Sequence, residues 1–334
     1  MDGGTDGKAT VTRVEVEPDG DDGGLVVRWE LSHPAPVAIA VGPSPEAVDH
    51  VPRTGAAAGQ RTLRITGLPA GRHYVSVAPL GGGPSVVAAE RRLPFEGVVN
   101  FRDLGGYPTA RGGRTRWGRV FRSDALHRFT ALDLAVFDEL GIRTVLDLRW
   151  DDERSRAPNP VPSEQIIITG RGEGAAPPAY RGRREAREGE QLLHESYVGM
   201  LRHSGPRFGR LLSRLARSEG LPAVIHCAGG KDRTGMSAAL LLTWLGVDRE
   251  TVLDDYVLTS RFRTAEDEPE FYDRLLAEGM APEAALAAMG TSRWAMADAL
   301  AVLDGEYGGV EAYLRGQAGM AAEVLDRLRS ELVV

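Results

Sequence analysis

A chain of 334 residues with 42% hydrophobic and 26% charged side chains is long enough for two globular cores. Its net charge of −7 argues against non-specific nucleic-acid binding, and no apolar stretch approaches the roughly 20 residues of a membrane span. The single cysteine excludes an internal disulfide, and the acidic, polar start Met1-Asp2-Gly3-Gly4-Thr5-Asp6 does not read as a signal peptide.

Residues 9–92 read as all-β. Leu25, Val27, Trp29 and Leu31 alternate with Val26, Arg28 and Glu30, the pattern of a half-buried strand. Further strands are expected at 11–16, 36–41, 62–65, 74–78 and 86–89, with turn-rich clusters at 19–24 and 81–84 between them. Leu68-Pro69-Ala70-Gly71-Arg72-His73-Tyr74 resembles the corner of a fibronectin type III-like sandwich, where a tyrosine hydroxyl bonds back to the upstream backbone. The expectation is a small all-β sandwich over residues 1–92, acting as scaffold, partner contact or cleft wall.

From about residue 95 strand and helix patterns alternate, which argues an α/β domain over 93–334 with a central sheet, flanking helices and a helical C-terminal region. Strands are expected at 116–121 and 143–148. Thr130 reads as the N-cap of a helix reaching Leu140, with Leu134, Phe137 and Leu140 on one face. Residues 151–190 are the least regular stretch, because Pro158, Pro160, Pro162, Pro177 and Pro178 exclude long helices. The run Arg181-Gly182-Arg183-Arg184-Glu185-Ala186-Arg187 is locally basic, either a solvated charge run or a recruiting site for a polyanionic substrate. Helices are expected at 206–218, 234–245 and 249–260, and the pattern stays helical beyond 264 with Pro269, Pro282 and Gly308-Gly309 as breaks. Residues 270–288 either pack on the core or cover a pocket.

The only cysteine stands in His226-Cys227-Ala228-Gly229-Gly230-Lys231-Asp232-Arg233-Thr234-Gly235, between an apolar strand at 221–225 and an apolar helix. Strand, glycine-rich turn and helix together gather backbone N–H groups and a helix N-terminus around a tetrahedral oxyanion. A helix N-terminus and a guanidinium favour a thiolate over a thiol, so Cys227 is a candidate nucleophile toward phosphorus. Arg233 offers a planar fork that matches two phosphoryl oxygens. The amides of Ala228, Gly229, Gly230, Lys231, Asp232 and Arg233 are placed to hold the equatorial oxygens. The Thr234 hydroxyl is a candidate donor to the sulfur, and His226 is expected to orient the loop through hydrogen bonds. Lysine occurs only at Lys8 and Lys231, so Lys231 is a candidate contact to a second anionic group on the substrate, against a plain solvated lysine.

This loop resembles the signature of the cysteine-dependent tyrosine phosphatases. Its Gly-Lys-Asp-Arg-Thr-Gly stretch is similar to that of the bacterial tyrosine phosphatases of broad substrate range. Asn100-Phe101-Arg102-Asp103-Leu104-Gly105-Gly106-Tyr107, Val120-Phe121-Arg122-Ser123 and Leu146-Asp147-Leu148-Arg149 resemble other stretches of that family, so the likeness covers about residues 95–334. It implies a phosphomonoester hydrolase working through phosphocysteine without metal or cofactor. The default substrate is phosphotyrosine on proteins, with phosphoinositides or a phosphorylated metabolite or nucleoside as alternatives. The partner implied is therefore a phosphorylated protein or a small-molecule phosphate ester. A sulfurtransferase loop of the rhodanese type is usually one residue shorter, and a non-catalytic phosphate-binding module is the rival from another class.

Protonating the leaving oxygen needs a carboxylic acid. Asp147 lies at the carboxyl end of an expected strand, where ligands bind in open α/β sheets, and Asp232 lies within the loop. Asp151 and Asp152 follow just beyond, and Asp147 as an ion pair with a loop arginine is the competing reading. Arg102, Asp103 and Arg122 read as structural, with Arg122 steadying the pocket rim, and Asp255 as a partner for a loop arginine or as a surface group. A working thiolate needs reduction, so a cytoplasmic setting is expected.

Overall fold

A computed structural model describes residues 8–20, 23–48, 54–170 and 180–334. The N-terminal run 1–6, part of the turn at 19–24, and Pro177 and Pro178 lie outside the described residues. The chain divides into two compact units between Leu93 and Pro94.

The first unit carries β1 (Val11–Asp19), β2 (Gly24–Leu31), β3 (Val37–Gly42), β4 (Thr54–Ala56), β5 (Thr62–Ile65), β6 (Tyr74–Pro79) and β7 (Val86–Ala89). All are paired antiparallel, in a three-stranded sheet β1-β2-β5 and a four-stranded sheet β4-β3-β6-β7. The alternation in β2 is realised: Leu25, Val27 and Trp29 are buried while Arg28 and Glu30 face solvent. Ile39 on β3 and Val75 and Val77 on β6 are likewise fully buried. β4 has no counterpart among the expected strands, since Thr-Gly-Ala carries little strand propensity. At the predicted corner the His73 Nε2 lies 2.8 Å from the Pro69 carbonyl oxygen, and the Arg72 guanidinium sits 4.9 Å above the Tyr74 ring.

The second unit is mixed α/β. Its strands are β8 (Arg102–Asp103), β9 (Val120–Ser123), β10 (Thr144–Asp147), β11 (Glu164–Gln165) and β12 (Ala223–His226). They form one sheet in the order β11-β10-β12-β9-β8, parallel except for β8. The helices are α1 (Ala131–Glu139), α2 (Asp151–Arg156), α3 (Ala186–His203), α4 (Gly205–Leu215), α5 (Asp232–Leu245), α6 (Arg249–Phe262), α7 (Pro269–Ala277), α8 (Pro282–Met289), α9 (Arg293–Tyr307), α10 (Val310–Gly316) and α11 (Ala322–Leu332).

Thr130 caps α1 as expected, and Asp133 reciprocates in a capping box. The face that α1 buries is Asp133 and Phe137, because Asp133 also takes the amides of Glu96 and Gly97. The strand expected at 116–121 begins only at Val120, since a turn at 117–118 is pinned by the Gly118 amide on Asp103 Oδ2. Residues 151–190 contain the short α2 and the start of α3, an 18-residue helix that the proline count concealed. The basic run 181–187 is mostly exposed, as a solvated charge run would be, and is anchored at two points: the Ala281 amide donates to the Arg183 carbonyl at 2.8 Å, and the Arg187 guanidinium lies 5.5 Å from the Trp294 ring. α5 is buried on nearly every side, from Thr234 to Leu242, and so forms the middle of the core. α7 and α8 pack on α3 through a separate apolar cluster of Leu192, Leu275, Met280, Ala284, Ala285 and Met289.

Because β9, β10 and β12 run parallel, their carboxyl ends share one rim. Ser123, His226 and Asp147 stand side by side there in register. The loop that follows His226 therefore opens beside the loops that follow Ser123 and Asp147.

Candidate active site

The turn between β12 and α5 is held from outside by its carbonyls. His226 O accepts from Leu148 N at 2.8 Å, and Ala228 O from Ala125 N at 2.9 Å. Gly229 O accepts from Asn100 Nδ2 at 3.1 Å, Gly230 O from Arg122 Nη2 at 2.8 Å, and Lys231 O from Gly235 N at 2.8 Å. With the oxygens of Ala228, Gly229 and Gly230 fixed outward, the amides that share their peptide planes, those of Gly229, Gly230 and Lys231, face the other way, and no acceptor among the described residues takes them. That is the arrangement of an anion nest. Gly230 sits at φ +65°, and a Cβ there would come 2.5 Å from Ser123 O, so the turn passes too close to β9 for a side chain. At Gly229 the neighbour is a side chain instead: a Cβ would come 2.7 Å from Nη1 of Arg263, which would have to move aside.

The segment 100–107 is the rear brace of this loop. Arg102 and Arg122 are fully buried and both pair with Asp255, at 3.2 and 2.6 Å, and Tyr107 OH donates to Asp255 Oδ1 at 2.9 Å. Arg102 also donates to Asn100 Oδ1. Asp255 is thus buried and paired with two bracing arginines, neither a surface group nor a partner of a loop arginine. The charge cluster carries Asn100 and Arg122 to the loop oxygens; burial lowers the Arg102 pKa to about 10.

Cys227 is 2% exposed. Arg233, Lys231 and Arg263 all lie within electrostatic reach of its sulfur. Arg233 is buried, yet its pKa stays raised because Glu153 and Cys227 oppose the desolvation. Glu153 grips the guanidinium with both oxygens, at 2.6 and 2.8 Å, and the Trp150 ring lies 5.1 Å from it. Desolvation raises the Glu153 pKa, but the Arg233 hydrogen bonds outweigh it and leave the carboxyl below its ordinary range.

Asp147 is fully buried and saturated. Arg149 donates to Oδ1 from N and Nε, both at 3.0 Å, and to Oδ2 from Nη2 at 2.8 Å. Asn159 Nδ2 adds 3.0 Å to Oδ2, and Arg154 lies at 3.4 Å. Desolvation pushes the carboxyl up, but the Arg149 hydrogen bonds and charges around it win and hold it below the usual range. His226 is buried beside it, and burial lowers its pKa to about 4, so the ring is neutral. Asn159 Nδ2 donates to His226 Nε2 at 3.0 Å, which leaves the ring proton on Nδ1, 3.3 Å from Cys227 O. These bonds tie the His226 ring to Asn159 and to the loop backbone at Cys227.

Asp232 is the first residue of α5 and keeps 36% of its side chain exposed. Tyr197 OH donates to Oδ1 at 2.7 Å, and Lys231 Nζ lies 3.5 Å from the same oxygen. The ammonium of Lys231 does not point at a second substrate anion, and it is not solvated. Nζ is buried and donates to the carbonyls of Ala288, Met289 and Gly290 at 2.7, 3.1 and 2.9 Å, which uses all its protons on the C-terminal end of α8. Thr234 Oγ1 is buried without a hydrogen-bond partner among the described residues, so the expected bond to the sulfur is not formed. Asp151 and Asp152 stand exposed at the start of α2; Asp151 accepts from Gln165 Nε2 at 2.9 Å, and Asp152 pairs with Arg156. Among the described residues no three of His, Cys, Asp and Glu are grouped to hold a metal ion.

The structure thus brings Cys227, Arg233, Asp232 and the loop amides together at the rim and sets Asp147 beneath them. Sequence reading missed Glu153, Asn159, Tyr197 and Arg263, and gave Asn100 no role beyond its place in the resembling stretch. Arg263, the residue after α6, pairs with Glu268 and lies over Gly229. Only Glu153 and Tyr197 left a local signal: an acidic first turn, and an apolar spacing of four through Leu193, Tyr197 and Leu201.

The second unit is similar in sequence to known proteins. The model of the tyrosine phosphatase family matches residues 93–334. A Cupriavidus necator protein, provisionally named a tyrosine-protein phosphatase, is 30% identical over 72% of this chain and 89% of the relative. A tyrosine-protein phosphatase of Nostoc commune is 27% identical over 63% of this chain and 73% of the relative. The triple specificity protein phosphatase PtpB of Mycobacterium tuberculosis is 29% identical over 73% of this chain and 99% of the relative. Through residues 93–334 the chain belongs to the tyrosine phosphatase family and is a phosphatase.

Proposed function

We propose that the protein hydrolyses phosphomonoesters through a phosphocysteine formed on Cys227. The observation that carries this reading is the loop itself: every carbonyl from His226 to Lys231 that the fold engages is tied away from the nest, and the sulfur lies within reach of Arg233. The Cys227 thiolate attacks phosphorus, and the bond from phosphorus to the leaving oxygen breaks. Arg233, held flat by Glu153, binds two phosphoryl oxygens, and the amides from Ala228 to Arg233 hold the equatorial charge. Asp232 gives its proton to the leaving oxygen and then takes one from the water that hydrolyses the intermediate. Asp147 holds both oxygens in ion pairs and has no proton to give, which favours a role in fixing Arg149, Asn159 and His226 beneath the loop.

Phosphotyrosine on proteins is the first substrate in this reading. A relative named for triple specificity supports a wider range that includes other phosphate esters. A reduced, cytoplasmic setting belongs to the same proposal, since the mechanism needs the one cysteine as a thiol. Among the described residues no helix is long and apolar enough to cross a membrane. For the first unit we favour a fibronectin type III-like sandwich, supported by its three-stranded and four-stranded antiparallel sheets in the order 1-2-5 and 4-3-6-7.

Phosphate release from p-nitrophenyl phosphate tests the proposal. The wild type is expected to turn over and Cys227→Ser to lose activity by at least about a thousandfold. A wild type that binds phosphate without turnover would favour a non-catalytic module.

A further inference from the structure

Asp232 is held asymmetrically. Both groups that reach its carboxyl reach Oδ1: Tyr197 OH at 2.7 Å and Lys231 Nζ at 3.5 Å. No hydrogen bond among the described residues touches Oδ2. Behind Tyr197 stands Tyr256, with the two hydroxyl oxygens 2.6 Å apart, both side chains fully buried and their rings edge-on. A hydroxyl has one proton to give. An ionised carboxylate only accepts, so Tyr197 spends that proton on Asp232 Oδ1, and Tyr256 turns its own O–H to the Tyr197 oxygen. Burial raises both phenol pKa values, so neither residue becomes a phenolate at neutral pH.

We infer that Tyr197 is a positioning residue for the general acid: the chain from Tyr256 through Tyr197 ends as a donor on Oδ1 and places the transferable proton of Asp232 on Oδ2. This rests on Asp232 being the acid of the reaction proposed above. In the first step the Cys227 sulfur bonds to phosphorus, the ester P–O bond breaks, and the Oδ2 proton goes to the departing oxygen. In the second step water attacks phosphorus, its proton passes to Oδ2, and the S–P bond breaks to restore the thiolate. Oδ1 accepts from Tyr197 throughout, so the carboxyl does not rotate between steps. The charged or titratable groups that face Asp232 are Lys231 on the loop, Arg233 on α5, Arg263 after α6, Cys227, and the two phenols from α3 and α6.

The test is kcat/KM for an alkyl phosphate and for p-nitrophenyl phosphate across pH, in wild type, Asp232→Asn, Tyr197→Phe and the double variant. A poor leaving group needs the acid and p-nitrophenolate does not, so Asp232→Asn is expected to lose about a hundredfold on the alkyl ester alone. Tyr197→Phe is expected to lose about tenfold on the alkyl ester and less than about twofold on p-nitrophenyl phosphate, with no further loss in the double variant. Its alkaline limb on the alkyl ester is expected to move to higher pH, because a donor to a carboxylate favours the charged form and its removal favours the neutral one. Should Tyr197→Phe fail to fold, 3-fluorotyrosine at position 197 keeps the shape, strengthens the donor and is expected to move that limb to lower pH. Equal loss on both esters in Asp232→Asn overturns the acid assignment. A selective Asp232→Asn beside a Tyr197 replacement that is uniform in its loss, or that leaves the limb in place, overturns the positioning role alone.

Discussion

His226 shows how one side chain ties the site to the stability of its unit. The ring is neutral and buried because charging it inside the core is unfavourable, and its pKa stands near 4 against an ordinary value near 6.5. Between those values the unfolded chain binds a proton that the folded chain refuses, so stability falls as pH falls from about 6.5 to about 4. Linkage puts this contribution on the order of 3 kcal/mol. Urea titrations of the full chain across that window are expected to show the decline, and His226→Asn is expected to flatten it; an equally steep variant would contradict the account. At this scale the sequence was most readable where chemistry is local. The residues from Cys227 to Arg233 are contiguous, so their types alone described an oxyanion loop. Glu153, Arg263 and Asn100 reach the same loop from distant stretches, and residue type carries no trace of such a meeting. Lys231 was misread for that reason: its place in the loop is visible in the sequence, while the helix end that takes its protons is not.

That helix end makes Lys231 a joint between elements. α8 terminates on three carbonyls that share one ammonium, and burial lowers the lysine pKa against the pull of Asp232. Lys231→Met keeps the stem and removes the donors, leaving the end of α8 unsatisfied at about 1–3 kcal/mol. Hydrogen exchange is expected to quicken about tenfold or more in α8 and to change little in α11. Unchanged protection in α8 would contradict the joint. Element signals were legible where they were boundary signals: Thr130 opened α1, and Pro269 and Pro282 marked breaks. Those two prolines start α7 and α8, because proline fits the first helical turn. α3 begins inside a proline-broken stretch that hides its spacing, and β4, β8 and β11 are too short for any periodicity.

At the scale of the whole molecule, composition and pattern announced an all-β part followed by an α/β part, and the chain divides after Leu93. The order β11-β10-β12-β9-β8 was not legible, since strand order depends on crossovers that leave no local mark. That order matters most for function. It sets β12 between β10 and β9 and so surrounds the cysteine loop with Asp147 on one side and Ser123 on the other. The central claim is that this arrangement makes Cys227 a covalent carrier of phosphate. The most direct measurement mixes the enzyme with excess p-nitrophenyl phosphate, quenches it in denaturant within the first turnover, and weighs the peptide that holds Cys227. The account predicts a phosphoryl group on that sulfur, absent from Cys227→Ser. Phosphate release at full rate with an unmodified Cys227 peptide, or with the phosphoryl group on another residue, would contradict it.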